Sequence, residues 1–84
     1  MQNLEKPIEF KVTSKGHIYT LVIIGIDSSR NDFLVGHVTT PIFDKEPVRW
    51  DKNGICRNKS HQLNLNINSP EILALKDSYP SLNW

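Results

Sequence analysis

A chain of 84 residues makes one small domain, residues 1–84, and leaves little room for a deep substrate cavity. With 38% hydrophobic and 23% charged residues, its composition is globular rather than disordered. Ten Lys and Arg against nine Asp and Glu give a net charge of +1. That balance excludes nucleic-acid binding driven by whole-domain charge and leaves only a local patch for such a role.

The opening Met1-Gln2-Asn3-Leu4-Glu5-Lys6-Pro7 lacks the apolar stretch of a secretory signal. Residues 8–14 then alternate, with Ile8, Phe10 and Val12 on one side and Glu9, Lys11 and Thr13 on the other. Period two is the mark of a half-buried strand. Lys15-Gly16 reads as a turn. Residues 17–27 carry Ile18, Thr20, Val22, Ile23, Ile24 and Ile26, a β-branched run expected of a central strand, with Gly25 marking a bulge or bend. Its longest apolar stretch, Leu21 to Ile26, is too short to cross a bilayer, so a soluble protein with no membrane partner is expected, and a single cysteine suits a reducing cytoplasm.

Ser28 to Asp32 is a polar turn, and residues 33–40 form the next predicted strand. Phe33, Val35 and His37 share one face; Leu34, Gly36 and Val38 share the other. Pro41 removes a backbone donor and stops pairing. Ile42 and Phe43 in the following loop are expected to fold back as a lid on the core. Residues 48–51 predict a fourth strand, ended by Asn53-Gly54, a strong hairpin signal because both residues tolerate positive φ. A polar loop runs to Ser60.

Residues 61–68 predict a fifth strand: Leu63, Leu65 and Ile67 inward, Gln62, Asn64, Asn66 and Asn68 toward water. Ser69-Pro70-Glu71 supplies a capping hydroxyl, a proline at the first helical position and an early acid. Ile72, Leu75 and Tyr79 then share a helical face until Pro80. Together these elements predict a mainly β fold, a small five-stranded antiparallel barrel or curled sheet over about residues 8–68, with a C-terminal helix and tail over 69–84. An SH3-like topology fits the strand lengths, and an OB-like barrel is the near alternative.

Chemistry-bearing residues are sparse. His17, His37, His61 and Cys56 lack the close pairs of a zinc site, so no metal or other cofactor is expected. As the sole cysteine, Cys56 forms no internal disulfide; Arg57, Lys59 and His61 lie near it, but no orienting carboxylate is evident. It reads as a solvent-accessible thiol without catalytic work. Asp27, Asp32, Asp44 and Asp51 all sit beside turns, where such side chains bond the local backbone. The sequence therefore reads as no enzyme. Its most suggestive feature is a basic hairpin, where Arg49, Lys52, Arg57 and Lys59 surround Trp50 and His61. Cations interleaved with aromatics suit single-stranded nucleic acid. Charge on a solvated hairpin also serves simply to block edge-to-edge aggregation.

Lys15-Gly16, Leu34-Val35-Gly36, the run from Pro47 through Trp50 to Gly54, and Leu63-Asn64-Leu65 resemble the pattern of small β-rich accessory proteins encoded by bacteriophages and prophages. The likeness spans about residues 8 to 67. It implies a protein that binds and blocks a host component and brings no catalytic residues with it. The sequence thus predicts a non-enzymatic binding module for a host protein or small ligand, with single-stranded RNA or DNA as the alternative target of Arg49, Trp50, Lys52, Arg57, Lys59 and His61. A homodimer is expected through Ile72, Leu75, Tyr79 and Trp84, because so small a core cannot shelter every apolar side chain of the C-terminal segment.

Overall fold

The computed structural model describes residues 2–27, 33–58 and 63–80. Four strands form one antiparallel sheet in the order of the chain: β1 (Gln2–Ser14), β2 (His17–Asp27), β3 (Phe33–Thr39) and β4 (Glu46–Trp50). One helix, α1 (Pro70–Ser78), follows. Among the described residues no bridge joins β1 to β4, so the sheet stays open and is not the five-stranded barrel expected.

The β1–β2 hairpin closes through Lys15 and Gly16 at φ 52° and 78°. Two consecutive left-handed residues give the mirror-image turn whose twist matches the strands it joins. In β2, Ile24 is skipped where Ile23 pairs with Gly36 and Gly25 with Val35, which makes the bend expected at Gly25 a bulge. On the β1 side of the same place, Leu4 to Pro7 bow outward between the pairs Asn3–Gly25 and Ile8–Ile23. Pro7 has no backbone N–H to give a ladder there. Gly36 is needed where β3 crosses β2, since a Cβ would stand 1.8 Å from the Val22 carbonyl oxygen.

Register puts Ile8, Ile23, Gly36 and Val48 in one row across the sheet, and Phe10, Leu21 and Val38 in the next. This face carries the core with Ile26, Leu34 and Trp50. It is covered by the extended segment 63–67, through Leu63 and Leu65, and by α1, through Ile72 and Leu75. Leu63 and Leu65 are buried and Asn64 and Asn66 exposed, as the alternation predicted, yet 63–68 is not a strand. Its backbone makes no ladder: Leu65 N–H donates to the Gly54 carbonyl at 2.8 Å, the Leu63 carbonyl accepts from the Trp50 indole, and the chain then turns as Ser69 N–H reaches the Asn66 carbonyl. Alternating burial reports a covered side, not a ladder partner.

Two further expectations are corrected. Ile42 and Phe43 do not lid the core; they are 84% and 51% exposed. The Thr40 hydroxyl accepts from the N–H groups of both, at 3.1 and 2.9 Å, and draws the loop into a tight turn that throws them outward. Ser69 is the N-cap residue of α1, but its side chain makes no capping bond and its hydroxyl is buried without a partner. Proline at the first turn and Glu71 are left to start the helix.

Candidate functional site

Asp51 organises the basic hairpin. Its carboxylate accepts from the N–H of Asn53 at 2.9 Å and of Ile55 at 3.0 Å, while Gly54 N–H donates to its carbonyl at 2.9 Å. Gly54 has φ 80°, and Asn53 is not left-handed. The reversal is therefore a wider turn ending in one left-handed glycine, not the two-residue turn that Asn-Gly suggested. The returning chain meets β4 through a Trp50–Cys56 bridge, and Arg57 N–H donates to the Arg49 carbonyl at 2.7 Å. Arg57 thus stands directly across from Arg49.

Alternation then divides the expected contact residues between two faces. Trp50 points into the core, fully buried, with its indole N–H bonded to the Leu63 carbonyl at 2.9 Å. It offers no ring for stacking, which corrects its place in the binding set. Arg49 and Arg57 turn to the other face, where they line a shallow depression of about 320 Å³ with Val35, Pro47 and Asn58. Lys52 is exposed at the turn tip. Lys59 and His61 lie outside the described residues.

Arg49 does not swing freely. Both of its terminal nitrogens donate to Asp27 Oδ2, Nη1 at 2.9 Å. The Asp27 side chain is 12% exposed and that of Arg49 33%. Asp27 is not the turn residue expected from its neighbours; it ends β2 and reaches across β3 to β4. The one legible signal was a carboxylate closing the most apolar strand. Such a tether fixes the guanidinium plane and engages both terminal nitrogens on one carboxylate oxygen.

Cys56 is buried opposite Trp50, its N–H bonded to Asn64 Oδ1 at 2.9 Å, so it is not the accessible thiol expected. His37 lies on the depression's face of the sheet and Cys56 on the core face, which keeps them apart. Among the described residues no three His, Cys, Asp or Glu side chains gather where a metal ion could sit. No helix among them is long and apolar enough to cross a membrane.

The apolar face of α1 is spent on the core. Ile72 and Leu75 are buried and Tyr79 packs against them, so Ile72 and Leu75 are not the dimer surface proposed from sequence. Trp84 lies outside the described residues. Between α1 and the bowed part of β1 runs an open groove of about 500 Å³, lined by Leu4, Ile8, Ala74, Leu75 and Tyr79 among others. Comparison with protein-family models, curated proteins and solved structures finds no match for this chain.

Proposed function

We propose that this protein is a non-enzymatic binding module that takes an anionic group of a partner protein or small ligand at the Arg49–Arg57 face. The observation that supports this reading is the cross-strand arginine pair over a shallow floor of Val35 and Pro47, with Arg49 oriented by Asp27. Guanidinium groups favour planar oxyanions, and the apolar floor adds contact area beside them. The resemblance to phage-type accessory proteins fits the same reading, with a host component as the thing bound and blocked. Single-stranded nucleic acid is the second reading, because Arg49, Lys52 and Arg57 also suit phosphates. Burial of Trp50 weakens it by removing the stacking ring.

Arg57→Glu, with Lys52→Glu as a second variant, provides the test. Partners captured by the wild-type protein and lost with Arg57→Glu support the binding face; identical capture by both sinks it. Titration with single-stranded oligonucleotides over a salt series separates the readings. Affinity that collapses as salt rises favours nucleic acid, whereas no binding at low salt removes that alternative.

A further inference from the structure

We propose that the outer edge of β1 is a self-recognition edge, on which a second copy of this chain pairs antiparallel about a twofold axis through Phe10. β1 is an outermost strand, and among the described residues nothing pairs with its far side. The two-residue turn at Lys15-Gly16 makes Ser14 and His17 a hydrogen-bonded pair. Bonded and non-bonded pairs alternate from there. Val12, Phe10 and Ile8 therefore direct their main-chain groups at β2. Those of Glu9, Lys11 and Thr13 point outward, unused by the sheet.

The side chains choose the occupant and the register. An axis through Phe10 sets Glu9 of each copy opposite Lys11 of the other on the solvent face, in bonded pairs that use the outward groups. On the core face it sets Phe10 against its own copy and Ile8 against Val12, three side chains that the lone sheet leaves half-buried. An axis through Glu9 opposes two carboxylates, and one through Lys11 opposes two ammonium groups. Any axis midway between residues turns the apolar row toward water. Moving the axis to Ile8 runs into Pro7 and the outward bow; moving it to Val12 places Glu9 against the left-handed Lys15 of the turn. Edge charges ordinarily prevent association. Here two opposite charges, two residues apart, make the edge complementary to itself. The bow at one end and the turn at the other confine pairing to the stretch between, which gives a closed dimer rather than a fibre.

Sedimentation of the full chain over a concentration series, into the hundreds of micromolar, is the experiment. Wild-type protein should dimerise. E9K or K11E alone puts like charges at both bonded pairs and should raise the dissociation constant by roughly tenfold or more. An equimolar mixture of E9K with K11E should recover dimer as a heterodimer, and so should the E9K/K11E swap in one chain. Amide exchange of unmutated protein gives an independent readout: the N–H groups of Glu9 and Lys11 should slow as concentration rises. A monomer throughout the series overturns the proposal. So does a dimer insensitive to both single variants, or exchange at those two amides that ignores concentration.

Discussion

Gly54 shows what one missing side chain can hold in place. Its φ of 80° lies in the left-handed region, a Cβ would stand 2.4 Å from the Leu65 carbonyl oxygen, and its own carbonyl takes the Leu65 N–H. Gly16 has nearly the same φ, 78°, but open space around it. The comparison separates backbone strain from steric conflict. Gly16→Ala should cost about 1–2 kcal/mol, the left-handed penalty alone. Gly54→Ala adds the displacement of a backbone carbonyl and should cost about 2–5 kcal/mol. Denaturant midpoints measure both, and equal losses would mean that segment 63–67 is not seated on the turn. A second residue-scale asymmetry lies in the Asp27–Arg49 pair. Arg49→Ala takes the cation from an aspartate side chain only 12% exposed, whereas Asp27→Ala leaves an arginine side chain that is 33% exposed to water. Losing one member of a buried pair costs about 3–5 kcal/mol, and partial exposure lowers that. Arg49→Ala should therefore destabilise by about 2–3 kcal/mol and Asp27→Ala by less, again by denaturant midpoint; the reverse order would show that the pair is solvated.

Strands with regular alternation and short turns were legible in the sequence, and for a physical reason. β2 was bounded by a turn and an acid at its ends, and its bulge was marked by Gly25 within a β-branched run. The expected fifth strand failed because period two encodes which side is covered and is silent about the neighbour. Asn64 is instructive: it is exposed, as expected, yet its side-chain oxygen holds the Cys56 N–H, a bond over eight residues that no local pattern announces. Asn64→Ala should therefore cost about 0.5–1.5 kcal/mol, the net value of one hydrogen bond, rather than nothing. Leu65→Ala removes a buried side chain and should cost about 2–5 kcal/mol. Thermal or denaturant unfolding of both variants checks the ordering; a silent Asn64→Ala would mean that the Cys56 amide finds water instead. The candidate site was half legible for the same reason. Four cations near a turn are visible in sequence, but which of their neighbours face them depends on strand parity and on Asp27, which is 22 residues away from Arg49.

At the scale of the whole molecule, an open sheet must have one face covered by something that is not sheet. Here the cover is segment 63–67 together with α1, and α1 contributes Ile72 and Leu75, 0% and 4% exposed. Removing a buried aliphatic side chain of that size costs about 2–5 kcal/mol. Two of them cost about 4–10 kcal/mol, to be set against roughly 4–13 kcal/mol for the entire stability of a domain this small. The helix is consequently part of the fold, with Ile72 and Leu75 committed to the core. Truncation after Asn68 should abolish the cooperative thermal transition and leave apolar sheet exposed to a dye such as ANS. Ile72→Ala alone should lower the melting temperature markedly, while Leu73→Ala, at a side chain 47% exposed, should barely move it. A truncated chain that melts at the wild-type temperature would show that α1 does not close the core, and would return its apolar face to the role of an interface.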